Sequence, residues 1–118
     1  MPKRILIAED DATAREVLAK HFKGRGYKVV TADNGIRLLA ASTREKFDVI
    51  VTDIMMPDLN GVASTDVMKF KGDTTPIIAL TGLSPQDIAS SKDRFSKVFH
   101  KPVDINALLE YVESLLRE

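Results

Sequence analysis

The chain has 118 residues, 44% hydrophobic and 29% charged, which is enough for one domain with its own core and is ordinary for a globular protein. Lys plus Arg and Asp plus Glu both total 17, so the basic surplus of a nucleic-acid binder is missing from the total and direct nucleic-acid contact is not expected. The absence of cysteine excludes disulfides, thiolate metal sites and cysteine nucleophiles; no apolar run is long enough to span a bilayer, and a cytoplasmic, non-membrane protein is expected.

Ile5-Leu6-Ile7-Ala8 is a short unbroken apolar run, the pattern of a strand buried on both faces. Ala14, Val17, Leu18 and Phe22 then recur at helical spacing, His21 is expected to be half-buried packing, and Gly24 and Gly26 stop the helix. Val29 to Ala32 forms a β-branched second strand, and the turn Asp33-Asn34-Gly35 leads into a helix predicted over Ile36 to Lys46. Asp48 to Thr52 is the third strand. A turn-rich stretch from Asp53 to Gly61, with Asp58 as a turn former, precedes a weaker helix over Val62 to Phe70.

Pro76 to Leu80 is the fourth strand. In Ser84-Pro85-Gln86-Asp87 an N-cap is followed by proline at the first helical position and, three residues on, a carboxylate. Lys97 to His100 is the fifth strand. Asp104 caps a last helix with Ile105, Leu108, Leu109, Val112, Leu115 and Leu116 on a single face. Apolar strands alternating with helices predict a single α/β domain over residues 1–118, a doubly wound five-stranded parallel sheet with helices on both faces.

In such a sheet functional groups collect beyond the carboxyl ends of the strands. Glu9, Asp10 and Asp11 follow strand one, Asp53 follows strand three, Thr81-Gly82 ends strand four, and His100-Lys101-Pro102 ends strand five. Neighbouring carboxylates repel unless a cation, a raised pKa or water intervenes. Oxygen donors without His or Cys suit a hard ion such as magnesium. Lys101 adds a mobile positive charge, Thr81 a hydroxyl, and Gly82 an amide unscreened by a side chain; the combination describes phosphoryl transfer to an Asp nucleophile. Taken singly these residues are ordinary: Asp11 is expected to act mainly as a helix cap, His100 as a strand residue, and Met55 and Met56 as packing and backbone contributors.

The segments Ile5 to Asp11, Asp53 to Gly61, Leu80-Thr81-Gly82 and Lys101-Pro102, in that order, resemble the receiver domains of response regulators. The likeness is to the chemotaxis-type single-domain receivers and covers essentially the whole chain. It implies a flavodoxin-like strand order 2-1-3-4-5, with Asp53 as the phospho-acceptor. It further implies Mg2+, with Mn2+ able to substitute, bound by Asp10, Asp53 and the Met55 backbone carbonyl, with Glu9 acting through water. Thr81 and Lys101 would meet the phosphoryl oxygens, the amides of Ile54, Met55 and Gly82 would complete the cradle, and the Lys101-Pro102 peptide would be cis.

The implied activity is self-catalysed phosphorylation and dephosphorylation, not metabolic turnover, in a chain with no output domain. The implied partners are a histidine kinase or histidine phosphotransfer protein and an output protein or domain. Exposed positions of the first helix, Thr13, Arg15, Glu16 and Lys20, would influence partner choice.

The chain departs from this pattern at Val98, where receivers commonly carry Tyr or Phe. Phe99 is one place along, and strand alternation points it to the opposite side. Switching is therefore expected to rest on Thr81 and loop movement, or the domain relays phosphate. Met55 and Leu83 offer no hydrogen bond to an attacking water, so slow self-dephosphorylation is expected. Three other readings compete. A nucleotide- or flavin-binding protein would not place carboxylates after strand one. An Asp-nucleophile phosphatase carries an Asp-x-Asp motif that Asp53-Ile54-Met55 lacks. A degenerate receiver acting as a phosphorylation-independent binding module is opposed by the complete set Glu9, Asp10, Asp53, Thr81 and Lys101.

Overall fold

The structure, a computed structural model, describes residues 2–117. Its strands are β1 (Arg4–Ala8), β2 (Lys28–Ala32), β3 (Val49–Asp53), β4 (Ile77–Thr81) and β5 (Lys97–His100). They form one parallel sheet in the order β2-β1-β3-β4-β5, as expected. Ile5 lies opposite Val29 on one side and Val49 on the other, and Ile50 lies opposite Ile77. The central strands are buried on both faces, which is why they read as continuous apolar runs rather than alternating ones.

Helices α1 (Ala12–Gly24) and α5 (Ile105–Leu116) cover one face, packing Leu18, Phe22, Leu108, Leu109 and Val112 on Ile5, Ile7, Val51 and Ile78. Helices α2 (Gly35–Arg44) and α3 (Gly61–Phe70), with a short α4 (Pro85–Ile88), cover the other, packing Leu38, Ala41, Met68 and Ile88 on Leu6, Ile50 and Ile77.

Local chemistry sets the helix ends. Asn34, Asn60, Ser84 and Asp104 cap α2, α3, α4 and α5, each side chain accepting from a backbone N–H three residues on. Beyond α1, Gly26 adopts φ +90, and the Tyr27 and Gly26 amides donate back to the carbonyls of Phe22 and Lys23. That left-handed closure is open to glycine at little cost.

Several expectations need correcting. His21 is exposed, and Val17 is 41% exposed: Ala14, Leu18 and Phe22 follow an i, i+4, i+8 line that leaves Val17 at its margin. Asp11 occupies the N-cap position of α1 without a side-chain cap bond. Met55 is 62% exposed and packs little, whereas Met56 is buried. The fourth helix, whose start alone the sequence marks, stops after Ile88 and is followed by a 3-10 turn at Lys92–Arg94. Of residues 85–96 only Ile88 and Phe95 are buried, so little apolar area rewards a continued helix. Arg94 instead ties this segment to α3, donating to Asp66 at 2.7 Å.

Candidate functional site

The sheet brings the strand ends together as the sequence order suggested. Glu9 and Asp10 leave β1, Asp53 ends the adjacent β3, Thr81 ends β4, and Lys101 follows β5. Carboxylate oxygens of Glu9, Asp10 and Asp53 all lie within 4.8 Å of one another. Glu9 and Asp53 are buried, at 2% and 4% exposure, and Asp10 is at the solvent edge. The Lys101 ammonium bridges the two buried acids, 2.8 Å from Asp53 Oδ2 and 3.2 Å from Glu9 Oε1.

Three carboxylates against one ammonium leave a formal surplus of two negative charges. That surplus and the burial of Glu9 together favour the protonated acid. Burial, reinforced by the Asp53 charge, raises the Glu9 pKa to about 7, although the Asp11 amide, donating to Glu9 Oε2 at 3.1 Å, pulls the other way. Burial disfavours the Lys101 charge, but the hydrogen bond and charge of Asp53, with those of Glu9, outweigh it and raise its pKa.

A divalent cation would relieve the surplus more completely. The donors are all hard oxygens, and opposite ligands of an ion bound at about 2.1 Å lie about 4.2 Å apart, so the cluster fits magnesium after small side-chain rotations or through water.

The neighbouring loops are organised by the same strand ends. Thr81 is fully buried; its hydroxyl oxygen accepts the Leu83 N–H at 2.9 Å, which leaves its hydrogen available to another acceptor. Leu83 is held at its other end by His100, whose Nδ1 lies 3.1 Å from the Leu83 carbonyl. The Lys101 amide donates to the Thr81 carbonyl at 2.7 Å, and the Lys101-Pro102 peptide is cis.

The three amides expected to face a phosphoryl group differ in what they already bond. The Ile54 N–H donates to the Leu80 carbonyl at 3.1 Å, extending the β3–β4 ladder past Asp53, while among the described residues the Met55 and Gly82 amides have no backbone acceptor. Gly61 lets α3 start directly against the acidic strand end, since a Cβ there would lie 2.4 Å from the Asp53 carbonyl oxygen.

Val98 and Phe99 point to opposite faces: Val98 packs with the α2–α3 cluster and Phe99 with the α1–α5 cluster, its ring 6.0 Å from that of Tyr111. No aromatic ring therefore occupies the Val98 position. Arg15 is another residue that sequence reasoning placed wrongly. It is partly buried and donates to the Glu9 and Asp10 carbonyls at 2.9 and 3.4 Å. The signal was its place in the first turn of α1, because helical side chains lean toward the N-terminus, over the loop that precedes them. Thr13, Glu16 and Lys20 are exposed.

The model of the response regulator receiver domain matches residues 5–113. The chain is 34% identical over 116 residues to the transcriptional activator protein PfeR of Pseudomonas aeruginosa, covering 97% of this chain and 38% of PfeR. It is 32% identical to the response regulator MprA of Mycobacterium sp., covering 99% of this chain and 52% of MprA. It thus spans only part of these longer relatives. Among solved structures, the chemotaxis response regulator CheY4 of Vibrio cholerae superposes with TM-score 0.90 at 27% identity, covering 98% of this chain and all of that one. The response regulator TrrA of Thermotoga maritima, solved in complex with Mg2+ and BeF, superposes with TM-score 0.88 at 30% identity, covering 97% and 99%.

Proposed function

The chain belongs to the response regulator receiver domain family of two-component systems, and from that premise we propose that Asp53 accepts a phosphoryl group from a phosphohistidine donor. The observation that carries this reading is the convergence of Glu9, Asp10 and Asp53 within 4.8 Å, with Lys101 bridging the two buried acids.

An Asp53 carboxylate oxygen attacks the donor phosphorus, the P–N bond breaks, and the imidazole leaves with the electron pair. Asp10, Asp53 and the Met55 carbonyl would hold Mg2+ directly, with Glu9 acting through water, and Mn2+ would substitute. The cation supplies charge compensation for the acceptor and the phosphoryl oxygens. The Lys101 ammonium, 2.8 Å from Asp53 Oδ2, turns to those oxygens, and Thr81 donates its free hydroxyl hydrogen while still accepting from Leu83. The Met55 and Gly82 amides add donors. With Val98 in place of an aromatic ring, Thr81 and the Leu83 loop carry the switch. The apolar Met55 and Leu83 side chains leave an attacking water unassisted, so the acyl phosphate is long-lived.

The donor is a histidine kinase or a histidine phosphotransfer protein, docking beside α1, where Thr13, Glu16 and Lys20 are exposed. The product alters contacts with an output protein or domain. Residues 1–118 act as one receiver unit, in the cytoplasm; among the described residues no helix is long and apolar enough to cross a membrane.

Acetyl phosphate with and without Mg2+, read by intact mass, tests the proposal. A single phosphoryl adduct that needs Mg2+ and is lost in Asp53→Ala is the expected result, and its decay gives the lifetime. No adduct, with beryllofluoride also failing to bind, would replace this reading with a phosphorylation-independent binding module.

A further inference from the structure

The three acids of the site are not held equally. Glu9 is fixed by the Asp11 amide and Lys101, and Asp53 by Lys101. The Asp10 side chain is exposed and has no hydrogen-bond partner among the described residues. With no side-chain partner, the direction of its Cα–Cβ bond is set by its backbone.

That backbone is gripped from α1. The Arg15 Nη1 donates to the Glu9 carbonyl at 2.9 Å and more loosely to the Asp10 carbonyl at 3.4 Å. These two carbonyls belong to the peptide planes on either side of the Asp10 Cα, so one guanidinium group restrains both Asp10 dihedrals and with them the Cα–Cβ direction. Because Arg15 bonds carbonyls and not carboxylates, it leaves the acids free for another cation.

We propose that Arg15 is a positioning residue for the cation site, holding Asp10 in the orientation that completes the cluster with Glu9 and Asp53. This rests on the receiver reading of the site, and it moves Arg15 from the docking surface to the metal-binding loop.

Charge and positioning make opposite predictions. A guanidinium this near a dication repels it, so removing the charge alone tightens Mg2+ binding. Losing an outer-shell contact that orients a ligand weakens binding, typically by about ten- to a hundredfold.

The test is calorimetric Mg2+ titration of the unphosphorylated protein, with melting in EDTA as the control for folding. Arg15→Met, of similar length but with neither donor nor charge, is expected to weaken Mg2+ about tenfold, with the EDTA melting temperature unchanged. Arg15→Gln, which keeps an N–H donor, should recover part of the loss. In an Asp10→Ala background Arg15→Met should no longer weaken Mg2+ binding, and only the opposite, tightening effect of the lost charge should remain. Equal or tighter Mg2+ binding by Arg15→Met, or an undiminished effect without the Asp10 carboxylate, would overturn the positioning role. Wild type that binds no Mg2+ would overturn it too, but by removing the receiver reading beneath it.

Discussion

Glu9 is where burial and charge most visibly conflict at the scale of one residue. Its pKa of about 7, raised chiefly by burial, lies above the 4.5 of a free glutamate. The folded state therefore holds a proton that the unfolded chain has released between those values. Where the native state binds more protons, stability falls as pH rises, so Glu9 destabilises the fold progressively from about pH 4.5 to 7. The limiting slope is about 1.4 kcal/mol per pH unit. Lys101 does not disturb this window: its raised pKa gives a contribution fully present below the ordinary lysine value and lost only at higher pH. In EDTA the melting temperature should drop between pH 5 and 7, and Glu9→Gln should flatten the profile. Saturating Mg2+ should flatten it as well, because the cation then neutralises what the proton did. A wild-type profile already flat in EDTA would mean that Glu9 is ionised throughout and that Lys101 suffices.

Between elements, the decisive contact is α3 against the end of β3. The Gly61 amide donates to the Ile54 carbonyl at 2.8 Å, and its missing Cβ admits the Asp53 carbonyl oxygen. Gly61→Ala should cost about 1–3 kcal/mol through overpacking and should also slow phosphorylation, since relief can come only by moving α3 or the acceptor strand. Gly72→Ala is the matched control. Its φ of +86 makes alanine strained, but a Cβ there meets nothing within 4 Å, so denaturant melts should register a loss of stability while the phosphorylation rate stays at wild type. Equal phosphorylation rates in the two variants would dissociate the α3 contact from the site.

The same level explains what was legible in the sequence. Strands such as Ile5 to Ala8 are buried on both faces and announce themselves by composition, and the charged residues after them fall at one edge because parallel strands all end there. Ser84 and Asp104 carry their capping chemistry in their side chains. What stayed hidden depends on competition between partners. The Ile54 amide is claimed by Leu80, Arg15 by two carbonyls, and the segment after Ile88 by the Arg94 contact with Asp66. Of these only the Arg15 contact left a trace in the spacing, its place in the first turn of α1.

Across the whole molecule, the two apolar clusters lie on opposite faces of one sheet. Leu6 and Ala8 of β1 face α2 and α3 while Ile5 and Ile7 face α1 and α5; Ile50 and Ile77 oppose Val51 and Ile78 in the same way. Stripping either helical layer exposes the reverse of the strands that the other layer needs, so the chain should unfold as one unit, as domains of this size usually do. Met68→Ala empties a buried site on the α2–α3 face only and should cost about 2–5 kcal/mol. Both tyrosines, Tyr27 and Tyr111, pack on the other face, and the chain has no tryptophan, so near-UV dichroism is a probe weighted to the side the mutation does not touch. In Met68→Ala the tyrosine signal and the far-UV helix signal should disappear at the same lowered midpoint. A tyrosine signal that outlasts the helix signal would mean the faces melt separately. The site would then be divided as well, because Glu9 and Asp53 leave the shared strands while their supports come from opposite layers: Arg15 from α1 on one side, Gly61 of α3 on the other.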